Sequence, residues 1–231
     1  MESSGLTRLA LRKHLLSDQG SYFMVQNPTP GTGFAAGITT SYSALAAFIT
    51  LFNGAALPSA PGGNYRRIYL DYIRLICSAA GASTTSAHAV CSVDNGNRYV
   101  SGTASTPAPV SPNMDTGNLV LAQQYQTAVG VVQVGPLVAS AATAAVRLAG
   151  RAVLRVAAAP CWIAFDELVI HFGDEDLGEV QAVTPTTAIR SDVWMPPIII
   201  GPQQTFLFQP YNVANAVTPP SFEYEVGWWE R

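Results

Sequence analysis

The strongest constraint on the fold is a two-residue alternation of apolar and polar side chains, which is clearest in the last segment, SFEYEVGWWER. Successive side chains of a strand point to opposite faces, so this segment puts a row of large apolar residues on one face and Glu223 and Glu225 on the other. The apolar row is Phe222, Tyr224, Val226 and Trp228. The pattern predicts a strand with one face in a core and the other in water.

Similar short segments recur from residue 66 onward, separated by proline- and glycine-rich turns. Strands are predicted in RRIYLDYIRLIC, AHAVCSV, AVGVVQV, CWIAFDELVIHFG and PPIIIGPQQTFLFQP. The stretch AVRLAGRAVLRVAAAP is ambiguous, because arginines four residues apart share a face on a helix or a strand; alternation favours a strand. With little helix predicted after residue 55, the chain is expected to be all-β, with an antiparallel β-sandwich of jelly-roll type over residues 56–231.

Residues 1–55 have a different texture and are interpreted as an N-terminal arm. Leucines at helical spacing beside basic residues predict a short amphipathic helix over residues 3–17. A stretch without charged residues follows, from Gln19 to Tyr65, and predicts an extended segment lying along a partner. The aromatic residues expected to dock there are Tyr22, Phe23, Phe34, Phe48 and Phe52. In the alternative interpretation, these aromatics complete the core of the sandwich itself.

Composition limits the classes of partner. Charged residues make up only 12% of the 231 residues, against a usual share of about a quarter. Copies of the same chain are the simplest cover for such a surface, so a homo-oligomer is expected. A net charge of -3 and a single lysine, Lys13, argue against a nucleic-acid groove. No apolar run reaches the about 18 residues of a membrane span, and the N-terminus lacks the order of a signal peptide, so synthesis in the cytoplasm is expected.

The segment NPTPGTGFAAG imitates the glycine fingerprint of dinucleotide-binding enzymes. In that motif a buried strand precedes the glycines, whereas here Pro28 and Pro30 precede them. The acidic residue expected about 20 positions later is also missing, because no Asp or Glu lies between Asp18 and Asp71. A connecting segment is therefore predicted, and no cofactor.

The residue types that usually carry catalysis are scattered. His14, His88 and His171 have no zinc-ligand spacing, and a structural role is predicted for His171. The cysteines, at positions 77, 91 and 161, form no CxxC pair and are expected to be free thiols. The acidic run at residues 174–179 lacks the calcium-loop spacing and is interpreted as a solvated turn. Asp166 and Glu167 are adjacent on a predicted strand and so cannot flank one glycosidic bond. No enzymatic activity or metal site is predicted.

Four stretches of the sequence resemble structural proteins of tailed bacteriophages in their order along the chain and in their general residue pattern. They are GSYFMVQNPTPGTGFAAG, RRIYLDYIRLICSAAG, LRVAAAPCWIAFDELVIHFG and the ending PPIIIGPQQTFLF...FEYEVGWWER. The resemblance implies an arm before an antiparallel sandwich, and a component of the virion such as a capsid cement protein, a head or neck decoration, or a tail-associated protein. It carries no catalytic residue to this chain.

The expected function is that of a non-enzymatic virion protein, most simply a capsid cement or decoration protein. It would self-associate, with a trimer as the expected oligomer, and dock through its arm on the major capsid protein or other virion proteins. Its expected location is the virion, which is assembled in the host bacterial cytoplasm. The alternative is a tail or neck module that recognises host glycans. Exposed aromatics would serve that role, and one of the adjacent Trp228 and Trp229 must point away from the core.

Overall fold

The computed structural model describes residues 21–37, 40–57, 66–81, 86–98, 105–111, 128–135, 146–156, 162–173, 190–212 and 218–231. Within these ranges the protein is all-β, as predicted, and contains no helix. The strands are β1 (Tyr22–Gln26), β2 (Phe34–Ala35), β3 (Ile49–Asn53), β4 (Ile68–Ala79), β5 (Ser86–Asp94), β6 (Gly130–Val134), β7 (Val146–Val156), β8 (Glu167–Phe172), β9 (Arg190–Met195), β10 (Ile199–Ile200), β11 (Thr205–Asn212) and β12 (Ser221–Glu230). The helix predicted over residues 3–17 lies outside the described residues.

The strands form two sheets that pack face to face. Sheet A has the order β1-β12-β4-β8-β9, with β2 paired to β12 and β10 paired to β4. Sheet B has the order β6-β3-β11-β5-β7. Among the described strands, every pairing is antiparallel except that of β8 with β9. The prediction of a mainly antiparallel β-sandwich is confirmed.

The C-terminal segment forms a strand with one buried face, as its alternation predicts. In β12 the apolar row is buried, whereas Glu223 and Glu225 are partly exposed. The ambiguous arginine-rich segment is also a strand, β7, at one edge of sheet B. Gly150 of β7 lies against Met195 of β9, where a β-carbon would come within 2.7 Å of the methionine sulfur. A side chain there would have to displace the flexible thioether of Met195.

The core lies between the two sheets and is rich in aromatic rings. Phe48, Phe206, Phe208, Phe222 and Trp228 are among the largest fully buried side chains. The rings of Phe48 and Phe222 meet edge to face, with centroids 5.7 Å apart, and this arrangement favours the attraction between ring edge and ring face. Side chains of both sheets thus fill the interior.

The structure revises the expected boundary at residue 55. β1 pairs with β12 in sheet A, and β3 lies between β6 and β11 in sheet B. These strands bury their apolar side chains in the common core, because a row of large apolar residues is more stable between two sheets than in water. The described part of the N-terminal arm is therefore an integral part of the sandwich, and residue 55 does not separate the strands into two units.

A buried carboxylate fixes the end of β12. Glu230 accepts hydrogen bonds from the backbone N–H groups of Val129 and Gly130 and from the indole N–H of Trp228, at 2.9–3.0 Å for its Oε1 atom. Its Oε2 atom lies 2.5 Å from a guanidinium nitrogen of Arg66. Hydrogen bonds to a carboxylate are stronger than those between neutral groups, so these contacts hold β12 against β6 and set the position of the adjacent Trp229.

Candidate functional site

The outer face of sheet A, which points away from sheet B, carries rows of partly exposed side chains. The strand register puts Tyr22, Trp229 and Tyr69 side by side in one row. The next row runs from Gly227 through Tyr72 and His171 to Trp194. The third row runs Gln26, Glu225, Arg74, Val169 and Asp192, and the fourth Glu223, Ile76, Glu167 and Arg190. Aromatic rows thus adjoin charged rows on a single surface.

Two pairs of rings stack on this face. The rings of Tyr69 and Trp229 are nearly parallel, at 3°, with centroids 5.7 Å apart. The rings of His171 and Trp194 stack at 5.2 Å, and the imidazole Nε2 atom lies 3.4 Å from a carboxylate oxygen of Asp192. Neighbouring strands thus hold these rings in fixed positions, and they remain partly exposed to a ligand.

A glycine at the centre of the face allows two tyrosines to approach it. A β-carbon at Gly227 would overlap the ring of Tyr72 and the hydroxyl group of Tyr22. The pairing of β12 with β4 is irregular between Gly227 and Trp228, and Asp71 lies opposite this irregularity, between Leu70 and Tyr72. A bulge of this kind redirects side chains. Here it lets Asp71 reach the hydroxyl group of Tyr22, while Tyr72 packs beside Gly227.

Hydrogen bonds fix the phenol groups against carboxylates. The Tyr22 hydroxyl donates to Asp71 Oδ2 at 2.8 Å, and the Tyr72 hydroxyl donates to Glu225. Burial, and then the neighbouring carboxylate, raise the pKa of Tyr22 well above its usual value. Burial and the hydrogen bond to Glu225 likewise raise the pKa of Tyr72. Both phenols therefore stay protonated and act as hydrogen-bond donors, not as general bases.

The charged rows form a small network of ion pairs. Arg74 Nε donates to Glu167 Oε1 at 2.7 Å, and Arg74 Nη1 lies 3.6 Å from Glu225 Oε2. The Arg74 side chain is 41% exposed, so water screens these pairs and they add little stability. Their partners leave much of the guanidinium open to solvent and able to contact a ligand.

The turn after β1 overhangs this end of the face and encloses a groove. The groove holds about 320 Å³ and lies between the turn residues Pro28 and Pro30 and the side chains of the third and fourth rows. The lining also includes Gln26, Asn27, Arg74, Ile76, Glu223, Tyr224 and Glu225. Its volume is near the lower end of the about 300–1,000 Å³ of small-ligand sites.

The residues predicted for docking do not form one surface. Phe23 and Phe48 are buried in the core at 4% and 1% exposure, and Phe52 is buried at 9%. Phe34 packs on Tyr224, with ring centroids 5.8 Å apart. Only Tyr22 lies on the outer face of sheet A. The placement corresponds to the alternative interpretation, in which these aromatics complete the sandwich, because β1 and β3 supply core strands.

The two adjacent tryptophans divide as strand geometry requires. Trp228 is fully buried, and Trp229 is the partly exposed member of the stacked pair. Three further aromatics of the face, Tyr69, Tyr72 and Trp194, were not predicted as site residues. The sequence contained a signal for the two tyrosines, because partly exposed and buried positions alternate in RRIYLDYIRLIC. Tyr69 precedes the bulge, Tyr72 and Arg74 follow it, and buried aliphatic residues lie between them.

The other histidine and carboxylate side chains considered for catalysis contact neighbouring residues of the fold. His88 stacks on Tyr211 and lies 2.8 Å from a guanidinium nitrogen of Arg151; burial and then that positive charge lower the pKa of His88. Asp166 is buried and accepts a hydrogen bond from the Ile163 N–H group, whereas Glu167 binds Arg74.

Neither thiols nor metal ligands form a cluster in the part of the chain that the structure describes. Cys77 and Cys91 are buried thiols that take part in no disulfide, and burial raises the pKa of the Cys91 thiol. The described residues hold no group of three or more His, Cys, Asp or Glu side chains that could bind a metal ion. Nor do they hold a helix long and apolar enough to span a bilayer. His14, Cys161 and the acidic run 174–179 lie outside the described residues.

Comparison of the chain with protein-family models, with curated proteins and with solved structures gave no significant match.

Proposed function

We propose that the sandwich is a jelly roll. Setting aside β2, β6, β9 and β10 leaves eight strands, and numbering these from one to eight along the chain gives the sheet orders 1-8-3-6 and 2-7-4-5. Strand one thus pairs with eight, two with seven, three with six and four with five, always antiparallel. This is the order of a long hairpin rolled up on itself, which gives the two Greek keys of a jelly roll.

The packed interior supports an assembly role for this jelly roll. Jelly rolls serve in viral capsids, in lectins and in cupins. A cupin-like activity needs ligands and space inside the roll, whereas here Phe48, Phe206, Phe222 and Trp228 fill the space between the sheets. A sandwich with a packed interior acts through its surface.

The function supported best is that of a non-enzymatic bacteriophage virion protein, a capsid cement or decoration protein that self-associates. The observation that carries this proposal is the strand order of the sandwich. The resemblance of the sequence to phage structural proteins and the low share of charged residues agree with it. Docking on the head would use the surface of the sandwich, since the described strands of residues 1–55 are part of its sheets.

The copy number of this chain in purified virions tests the proposal. Quantitative mass spectrometry, with the major capsid protein as the internal standard, should give a ratio near one or a simple fraction of one. A handful of copies per particle would place the protein in the neck or tail, and its absence from particles would refute a virion role.

The stacked pair Tyr69 and Trp229 favours glycan recognition as a second candidate function. A sugar ring can pack its apolar face on a partly exposed aromatic ring, and nearby hydroxyl, carboxylate and guanidinium groups can bind its hydroxyl groups. The outer face of sheet A supplies the partly exposed side chains of Tyr22, Arg74 and Glu225 for this purpose.

Host-cell adsorption tests this second function. Trp229→Ala should remove adsorption, while Trp194→Ala, at the far edge of the same face, should retain it. Circular dichroism should confirm that both variants fold. Unchanged adsorption of folded Trp229→Ala would exclude this surface as the glycan site.

A further inference from the structure

The turn after β1 forms a rigid wall of the groove on the outer face of sheet A. The Asn27 side chain donates to the carbonyl oxygens of Thr29 and Thr32, at 2.7 and 2.9 Å. The Asn27 N–H group donates to the carbonyl oxygen of Tyr224 at 2.8 Å, which ties the turn to β12. Gly31, at a φ angle of 85°, supplies the left-handed conformation of the turn. Because these bonds hold the wall in place, a ligand would bind at little cost in ordering of the chain.

The lining of the groove is mainly polar and includes both donors and acceptors of hydrogen bonds. The polar side chains that line it from the strands are those of Gln26, Arg74, Glu223 and Glu225. Carboxylates accept hydrogen bonds, a guanidinium group donates them, and an amide does both. The volume of about 320 Å³ suits a small ligand. The groove therefore fits a small molecule that carries several polar groups.

Two opposite charges in this lining stand slightly too far apart for a direct hydrogen bond. Arg74 Nη1 lies 3.6 Å from Glu225 Oε2, beyond the usual range of such bonds. Each group has a closer partner elsewhere: Arg74 Nε donates to Glu167 at 2.7 Å, and Glu225 Oε1 accepts from the Tyr72 hydroxyl. The Arg74 and Glu225 side chains are 41% and 24% exposed. A ligand group between them could accept from the guanidinium and donate to the carboxylate at the same time.

A hydroxyl group meets both requirements with one oxygen atom, because it accepts and donates. An ionised carboxylate only accepts hydrogen bonds, and Glu223 and Glu225 would repel it. An ammonium group only donates them, and Arg74 would repel it. The turn residues Pro28 and Pro30 add apolar surface on which C–H groups of a ligand can pack. Hydroxyl groups on a carbon ring, as in a neutral sugar, match this combination.

We propose that the groove binds a neutral sugar ring, one hydroxyl group of which bridges Arg74 and Glu225. Glu225 precedes Trp229 by four residues on β12, so the groove lies about 13 Å along the strand from the stacked rings. A glycan of several rings can contact both places. The inference rests on the second candidate function, glycan recognition, and adds to it a further site and the class of sugar that this site takes.

Saturation-transfer difference NMR on the purified full chain tests the inference. The probes are the methyl glycosides of glucose, galactose, mannose and N-acetylglucosamine, each of which carries adjacent hydroxyl groups on a neutral ring. At least one of them should bind the wild-type chain saturably. Neither acetate nor ethylamine should displace it, because each supplies only one half of the hydrogen bonding that Arg74 and Glu225 require.

Arg74→Met removes the donor and keeps most of the length of the side chain. The dissociation constant of the sugar should rise at least about tenfold, as for a lost hydrogen bond to a charged group. Arg190→Met is the matched control, because Arg190 lies on the same face, is 60% exposed and is not part of the groove lining. It should leave the dissociation constant unchanged. Gln26→Ala, at an exposed position of the lining, should raise it about fivefold, as for a neutral hydrogen bond. Circular dichroism should show that all three variants fold.

Three results would overturn the inference: no saturable binding of any of the glycosides, equal affinities of Arg74→Met and Arg190→Met, or displacement of the sugar by acetate or ethylamine. Trp229→Ala should retain the binding that depends on Arg74, and complete loss in that variant would place the sugar on the stacked rings instead. Failure here is separable from failure of glycan recognition at those rings, which host-cell adsorption of Trp229→Ala decides.

Discussion

Over its central strands β5 and β11, the outer face of sheet B is covered by its own chain, whereas the outer face of sheet A exposes aromatic and charged side chains. Only at the edge strand β7 does the described part of this face of sheet B expose large apolar side chains, those of Leu148 and Val153. Over sheet B, the Tyr42 hydroxyl donates to Ser92 Oγ at 3.0 Å, and the Ser43 N–H group donates to Gln209 Oε1 at 2.9 Å. Ser92 and Gln209 are consequently almost fully buried, although both point away from the core between the sheets. The middle of sheet B is therefore closed over by its own chain, whereas the middle of sheet A stays partly open to solvent.

One ion pair on each sheet shows the same difference in exposure to water, and this difference sets how much each pair affects stability. On sheet B, Asp94 and Arg98 lie 3.4 Å apart, with side chains 0% and 5% exposed. On sheet A, Arg74 and Glu167 lie 2.7 Å apart but are 41% and 21% exposed. Breaking a buried pair leaves an uncompensated charge out of water, whereas water solvates the survivor of an exposed pair.

The largest expected effect follows from the buried pair. Asp94→Ala leaves the Arg98 guanidinium buried without its carboxylate and should lower the free energy of unfolding by about 3–5 kcal/mol. Urea unfolding followed by tryptophan fluorescence measures this change. A loss below about 1 kcal/mol would mean that the outer face of sheet B is open to water and would remove the contrast.

Gly227→Ala tests the centre of the outer face of sheet A. The added methyl group overlaps Tyr72 and Tyr22, so we expect a loss of about 1–3 kcal/mol from overpacking. Gly37→Ala is the control, because its β-carbon would have no atom within 4 Å, and it should change stability by less than about 0.5 kcal/mol. Equal effects of the two variants would show that the tyrosines do not pack on Gly227.

Glu167→Gln should have a small effect, since it weakens only the exposed pair with Arg74. We expect a change in the free energy of unfolding of no more than about 1 kcal/mol, and a smaller one at high salt. The same urea titration, repeated in 1 M sodium chloride, measures it. A loss as large as that of Asp94→Ala would show that this part of sheet A is buried.

The smallest expected effect is a pH dependence from His88 on sheet B. Its folded-state pKa is below the ordinary value of 6.5, because burial and the charge of Arg151 disfavour the protonated ring. Between these two pKa values the unfolded chain binds more protons, so stability should fall as the pH drops below about 6.5. Thermal melts from pH 7.5 to 5.5 should show less of this loss in His88→Gln than in wild type, and identical slopes would contradict the assignment.

Much of the fold could be predicted from alternation, but the role of residues 22–53 could not. β12 and β4 carry the signal in their own sequences, since apolar and polar residues alternate along them. β3 reads ITLFN and is buried at every position, and β1 has large side chains on both faces, so neither shows a period of two. Their partners, β12 and β11, lie far away in sequence, and a local pattern contains no information about such pairing.

The candidate site, too, could be predicted from the sequence only in part. The exposed position of one of the two adjacent tryptophans follows from strand geometry alone, and Trp229 takes it. The involvement of Asp71 depends on the irregular pairing beside Gly227, and the approach of Arg74 to Glu225 depends on the register of β4 and β12. Both arise from contacts between distant segments, so the sequence offers no short-range signal for them.

Hydroxyl-radical footprinting tests the difference between the two faces most directly. In the dissociated chain, Trp229 and Tyr69 should be oxidised readily, whereas Tyr211 of sheet B, which is 9% exposed and stacked on His88, should be protected. In particles that contain the protein, oxidation on sheet A should fall and that of Tyr211 should stay low. Equal oxidation of Tyr211 and Trp229 in the free chain would contradict the account.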